Sequence, residues 1–183
     1  MKRVLPWLTA VFFVGSLALA WMMVRERTAP DLTPPPAAVP AVALTALYDA
    51  ALPDTSGRMQ RIGQWRDRIL VVNYWATWCT PCRDEMPAFS RLQERYGARG
   101  VQFVGIAIDE ADKVREFARD FPVSYPLLVA DREFAETSRA LGNVAQAVPY
   151  TVVLDRAGNV QAGTAGRVDE DALARLLDRL TGT

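Results

Sequence analysis

The hydrophobic pattern divides the chain into an uninterrupted apolar run, a proline-rich stretch and a long region of alternating apolar periods. After Lys2 and Arg3, residues 4–24 carry no charge, and Arg25, Glu26 and Arg27 close the run. As a helix rising about 1.5 Å per residue it spans about 31 Å, close to the hydrocarbon core of about 30 Å. It has no polar face to turn to water, which argues against a surface helix. Ala18-Leu19-Ala20 has the small-x-small pattern of a signal-peptidase site, so a cleaved signal competes with an anchor. The apolar run continues through Trp21–Val24, however, and a signal core is usually about 7–15 residues long. A transmembrane signal-anchor over 1–27 is therefore the favoured reading. The flanking charges lean toward an inside N-terminus, which places everything after residue 27 across the membrane.

Residues 28–42 hold Pro30, Pro34, Pro35, Pro36 and Pro40 and read as an extended, semi-rigid spacer. A ligand for a Pro-recognition module is the sharper alternative. The remaining region, 43–183, alternates strand and helix periods. Ala46–Leu52, a turn at Asp54-Thr55-Ser56-Gly57, and Arg58–Arg61 predict an opening hairpin. Ile69–Tyr74 and Val101–Ala107 are short apolar runs, as expected of strands covered on both faces. Between them, Met86, Phe89, Leu92 and Tyr96 form one stripe of a helix over 81–96, with Pro87 as a kink and Gly97 as its stop. Helices at 112–120 and 133–141 bracket a strand at Leu127–Ala130. A hairpin of Tyr150–Asp155 and Val160–Thr164 follows, and a helix from 169/170 to 180 closes the chain. This order predicts an α/β fold with helices around a central mixed sheet.

Composition then narrows the chemistry. Half of the residues are hydrophobic, enough for a packed core, and 183 residues leave room for one ordinary domain after the N-terminal segments. Lys plus Arg equals Asp plus Glu at 21 each, so there is no electrostatic footprint for nucleic acid. The absence of histidine removes His-dependent triads, His-ligated zinc or haem, and the commonest general base. Two cysteines cannot build a four-thiolate zinc site.

Those two cysteines stand in Trp78-Cys79-Thr80-Pro81-Cys82, directly after the expected central strand and opening the next helix. A helix N-terminus favours thiolate over thiol at Cys79, because unpaired N–H groups and the positive dipole end face it. Cys82, one turn further in, can reach the same sulfur, and Pro81 fits a first turn that has no use for its N–H. Such a pair performs disulfide exchange: Cys79 attacks, a mixed disulfide forms, and Cys82 resolves it. A structural staple competes, although so short a loop yields little entropic stabilisation. A metal site competes more weakly, since two thiolates without histidine suit at most Cu(I). The redox reading needs no cofactor beyond the cysteine pair.

The run Asn73–Pro87 (NYWATWCTPCRDEMP) resembles the active-site segment of the thioredoxin superfamily, and within it the membrane-anchored TlpA/ResA-type thiol–disulfide oxidoreductases of the bacterial envelope. The resemblance covers about 43–183, including Leu52-Pro53-Asp54…Gly57, the Gly100–Ala107 strand and Val148-Pro149…Gly158. It implies a thioredoxin-like fold with an N-terminal β-hairpin. The helix and strand at about 112–130 correspond to the TlpA-type central insertion. It also implies that Pro149 is a cis-proline facing the disulfide, that Val148 offers its backbone to an extended substrate strand, and that Trp78 flanks this groove. For Trp78, ordinary core packing is the competing reading; Trp75 is taken as core. Asn73 departs from thioredoxin, which keeps a buried acid there; the resemblance to the ResA-type branch, where an acid in the position of Glu85 is tied to the redox site, implies Glu85 as the candidate for tuning the thiols or relaying a proton, with Pro81 as a second tuning residue. A solvated glutamate complementing the helix dipole is the alternative for Glu85.

Relatives of this type generally act as reductants of protein disulfides in apocytochrome c or copper-site assembly and are recharged by a transmembrane thiol donor. The resemblance therefore implies a reductase, a monomer held by its N-terminal helix in the bacterial inner membrane with the domain on the periplasmic side. The Gly-Ala-Pro-Glu loop of dedicated cytochrome c maturation proteins is replaced by Gln146-Ala147-Val148-Pro149-Tyr150, so that narrower role lacks its mark. An oxidase or isomerase of the same fold stays open, as does a non-catalytic Cu(I)-handling module.

Overall fold

The structure is a computed structural model that describes Leu32 and residues 39–182. The chain divides into two units, 1–31 and 32–183, and all described residues lie in the second. The expected anchor over 1–27 and most of the 28–42 spacer lie outside the described residues; of the spacer residues that are described, Ala41 and Val42 open the first helix, and Leu32 and Val39 pack against the domain core. Among the described residues, no helix is long and apolar enough to cross a membrane.

The elements in chain order are α1 (Ala41–Asp49), β1 (Ala51–Pro53), β2 (Met59–Arg61), β3 (Ile69–Trp75), α2 (Thr80–Tyr96), β4 (Val101–Ile108), α3 (Ala111–Asp120), β5 (Leu127–Ala130), α4 (Ala135–Ala140), β6 (Tyr150–Leu154), β7 (Val160–Ala165) and α5 (Glu170–Thr181). The sheet has the order β5-β4-β3-β6-β7. β3 runs parallel to β4 and antiparallel to β6, so the sheet is mixed, as expected. α3 and β5 form the central insertion, with β5 adding a parallel strand outside β4.

One expected element differs. Residues 46–49, read as the start of the first hairpin strand, are the end of α1, and β1 is only three residues long. Ala43, Leu47 and Tyr48 are buried at helical spacing, so the i, i+4 period prevails over the weak alternation through 46–52. The hairpin itself is present: β1 pairs with β2 across the Asp54–Gly57 turn. There Asp54 Oδ1 accepts from the Ser56 and Arg58 amides, and Gly57 takes a positive φ of 84°. The β6–β7 turn repeats the device with Asp155 and Gly158. α2 continues through Pro87, and its left-handed stop comes at Gly100, after a short 3₁₀ turn, rather than at Gly97.

Every residue of β3 is buried, and its alternation sorts the core into two clusters. Ile69, Val71 and Trp75 face a cluster with Met86, Phe89, Leu92, Phe117, Leu173 and both cysteines. Leu70, Val72 and Tyr74 face the opposite cluster with Leu47, Ile62, Leu141, Tyr150 and Val152.

Candidate active site

The buried strand β3 delivers the chain to a three-residue turn, Ala76–Trp78, and Cys79 then caps α2. Cys79 and Cys82 are joined as a disulfide, with an S–S distance of 2.02 Å. Cys79 Sγ accepts the Cys82 amide at 3.3 Å, so its sulfur sits where the helix presents unpaired donors. The pair is only slightly reachable: Cys79 is 4% exposed and Cys82 is fully buried. Pro81 lies in the first turn of α2, exposed between the two. Trp78 projects into solvent at 71% exposure, so it is a surface flank of the disulfide and not core, whereas Trp75 is fully buried.

Glu85 is 1% exposed and not a solvated helix-start residue. One turn beyond Cys82, it lies on the inner stripe of α2 with Met86 and Phe89. Its Oε1 accepts from Asn73 Nδ2 at 2.9 Å and its Oε2 from the Val168 amide at 3.0 Å. Burial pushes its carboxyl up to about 7, outweighing the stabilisation of its charge by those two donors and by Arg167. Asn73 gives its second amide hydrogen to Thr151 Oγ1 at 3.1 Å. Register explains this meeting. Gly105, Asn73, Thr151 and Thr164 align across four strands, forming a row of polar and small residues beneath α2. A Cβ on Gly105 would stand 2.7 Å from Leu127 Cδ2 and 3.2 Å from Trp75 Nε1, so only glycine fits without displacing its neighbours.

A second tie holds the turn before Cys79. Asp109, just beyond the end of β4, accepts from the Thr77 amide at 3.1 Å and from Thr77 Oγ1 at 2.5 Å. Against the cost of its partial burial, these bonds and one from the Glu110 amide hold its carboxyl below the usual range. Sequence reasoning did not single out Thr77, Asp109, Thr151 or Val168. For Asp109 a signal exists: parallel β3 and β4 end on the same side, so the first polar residue after β4 lies near the turn after β3. Glu85 also carried one, its i+3 and i−4 spacing to Cys82 and Phe89 on the apolar stripe.

The Val148–Pro149 peptide bond is cis. Val148 packs its half-buried side chain against the cluster that contains both cysteines, while Pro149 is buried and its carbonyl accepts from the Gly166 amide at 2.8 Å. The structure thus gathers Cys79, Cys82, Val148 and, through Asn73, Glu85 on one side of the sheet.

Comparison with known proteins agrees with this geometry. The Redoxin family model matches residues 26–177. The chain is 26% identical over 133 residues to the thiol-disulfide oxidoreductase ResA of Geobacillus thermodenitrificans, covering 72% of this chain and 74% of that one. It is 28% identical over 134 residues to the thioredoxin-like protein YneN of Bacillus subtilis, covering 71% and 75%. Among solved structures, a thioredoxin-related protein from Neisseria meningitidis serogroup B is 33% identical with a TM-score of 0.62, covering 72% of this chain and 99% of that one. A thiol:disulfide interchange protein from Chlorobium tepidum shares the fold with a TM-score of 0.66 at 24% identity, over 84% of this chain and 99% of that one.

Proposed function

This chain belongs to the Redoxin family, and on that premise we propose that it reduces disulfides of exported proteins from a membrane-tethered position. It is a thioredoxin-superfamily protein of the TlpA/ResA-like kind and a thiol–disulfide oxidoreductase. The observation that carries the reading is the Cys79–Cys82 disulfide at the start of α2, with Cys79 Sγ receiving a helix N-terminal amide.

In the reductive direction, the reduced pair starts with Cys79 as thiolate. Its sulfur attacks one sulfur of the substrate disulfide, the substrate S–S bond breaks, and the departing substrate thiolate takes a proton. The Cys82 thiol then gives up its proton, with Glu85 as the proposed acceptor, and attacks Cys79 Sγ. The Cys79–Cys82 bond forms, the mixed disulfide breaks, and the second substrate sulfur leaves as thiol. Two electrons pass to the substrate, leaving the oxidised state of this structure. Glu85 also supports the reductive direction: a buried carboxylate one turn from Cys82 disfavours further negative charge, so it opposes the thiolate and lowers the oxidising power of the couple.

The finer assignments continue the same proposal. Residues 1–27 anchor the chain in the bacterial inner membrane, and the Pro-rich stretch between them and α1 joins the domain to that anchor on the periplasmic side. The protein acts as a monomer, Trp78, Val148 and Pro149 border the substrate groove, and a transmembrane thiol donor re-reduces the pair. The substrates would be proteins of cytochrome c or copper-site assembly.

Titration of the full chain in glutathione buffers tests the direction. A potential near about −270 mV supports the reductase, and one near about −120 mV makes the protein an oxidase. Cys79→Ser should abolish insulin reduction, whereas Cys82→Ser should retain a single attack and accumulate covalent adducts. Adducts on Cys79→Ser alone would reverse the roles of the two sulfurs.

A further inference from the structure

The segment between α4 and Pro149 contains an arrangement that the exchange chemistry leaves unexplained. Asn143 is 3% exposed, in a loop with no regular structure. Its Oδ1 accepts the Ala147 amide at 3.0 Å, and its Nδ2 donates to the Ala147 carbonyl at 2.8 Å. One side chain thus takes both peptide groups of a single residue, as the opposite residue does in a hydrogen-bonded pair of an antiparallel ladder. The rest of Asn143 is equally committed. Nδ2 also donates to Ser138 Oγ at 3.2 Å, its own amide donates to the Ser138 carbonyl, and its carbonyl accepts from the Gln146 amide. With two acceptors facing the nitrogen and a donor facing the oxygen, the amide has one satisfied orientation.

The consequence falls on the next residue. The clamp takes both peptide groups of Ala147 and leaves those of Val148, at the bend before the cis bond, outside it. Neither the Val148 amide nor its carbonyl has a hydrogen-bond partner among the described residues. Beyond it, Pro149 has no N–H, and its carbonyl is taken by the Gly166 amide. The open edge is therefore one residue long, bounded by a side-chain clamp before it and a backbone bond after it. The Val148 side chain meanwhile packs on the cluster holding Cys79 and Cys82.

We propose that Asn143 is a positioning residue for protein substrates: it stands in for a neighbouring strand at Ala147 and so presents the Val148 amide and carbonyl to an extended segment of the protein whose disulfide is exchanged at Cys79–Cys82. This rests on the thiol–disulfide exchange reading above. A substrate segment adding one strand pair here gains alignment from main-chain bonds whatever its side chains. Small dithiols have no such segment and do not use the clamp.

The test compares the full chain with Asn143→Ala on two substrates. For insulin disulfides, KM should rise about fivefold, the effect of one net hydrogen bond, with kcat within about twofold. The rate with oxidised dithiothreitol and the potential of the Cys79/Cys82 couple should stay unchanged. An unchanged insulin KM, or equal losses on both substrates, overturns the proposal. Amide hydrogen exchange decides the case even if Asn143→Ala fails to fold. In the unsubstituted chain the Ala147 amide should be protected and the Val148 amide fast. In a Cys82→Ser adduct with insulin at Cys79, Val148 should become protected. An adduct with Val148 still fast overturns the clamp while leaving the exchange reading intact. If the unsubstituted chain neither reduces insulin nor forms adducts when Cys82 is replaced, the exchange reading fails and the clamp falls with it.

Discussion

The two faces of the central sheet are built from the same strands yet treat polar groups differently. On the face covered by α1 and α4, buried hydroxyls are paired: Tyr150 donates to the Leu141 carbonyl at 2.8 Å, and Tyr74 meets Thr137 Oγ1 at 3.0 Å. On the face carrying the disulfide, Asn73 Oδ1, Trp75 Nε1 and the Tyr125 hydroxyl are buried without a hydrogen-bond partner among the described residues. Glu85 is buried there too, its carboxyl raised to about 7. Unpaired polar atoms in a low-dielectric interior are costly, and buried titratable groups are concentrated where chemistry needs shifted acidities. The disulfide face thus sets unpaired polar atoms beside its buried carboxyl, where the opposite face pairs the hydroxyls of Tyr74 and Tyr150.

Breaking the face opposite the disulfide should have the largest effect on stability and none on chemistry. Leu70 is fully buried in the cluster opposite the disulfide. Leu70→Ala should cost about 2–5 kcal/mol in denaturant unfolding, through lost burial and the cavity left behind. The potential of the couple should not move.

A smaller, pH-dependent effect is expected across the sheet. Because burial raises the folded-state pKa of Glu85 from its ordinary 4.5 to about 7, the folded protein binds more protons than the unfolded chain within that window. The contribution of Glu85 to stability is therefore full below about pH 4.5 and is lost as pH rises to about 7. Glu85→Gln should remove this slope, which reaches at most about 1.4 kcal/mol per pH unit. The substitution should also lower the thiol pKa and make the couple more oxidising, since a negative charge near the thiols is gone. Unfolding curves between pH 5 and 8 with parallel slopes for both proteins would show that Glu85 does not titrate in this range.

The smallest effects sharpen the contrast most directly. Tyr150→Phe removes a paired hydroxyl and should cost about 1 kcal/mol, leaving the Leu141 carbonyl short of its donor. Tyr125→Phe removes an unpaired one and should be neutral or slightly stabilising. Equal losses for both, measured by denaturant midpoint, would erase the difference between the faces.

Much of the architecture was legible in the sequence because it depends on local periods. The runs around β3 and β4, the stripe of Met86, Phe89, Leu92 and Tyr96, and the paired Asp-x-x-Gly turns each carry their conformation in adjacent residues. The placement of Cys79 at a helix start follows from the same local reasoning. α1 was misread where helical and alternating periods overlapped, and only packing of Ala43 and Leu47 against the sheet separated them.

What tertiary structure alone decided lies in contacts between segments far apart in the chain. Glu85 is buried because α2 lays its inner stripe over Asn73 while the Val168 amide, 83 positions away, closes on the other oxygen. The polar row from Gly105 to Thr164 exists only once four strands are in register. Asn143 has no periodicity to announce it, since its role depends on how a loop folds back on Ala147. A sequence specifies which side of each element is apolar. Which group meets a buried polar atom depends on how the elements are placed on one another, and the environment of the thiols is set there.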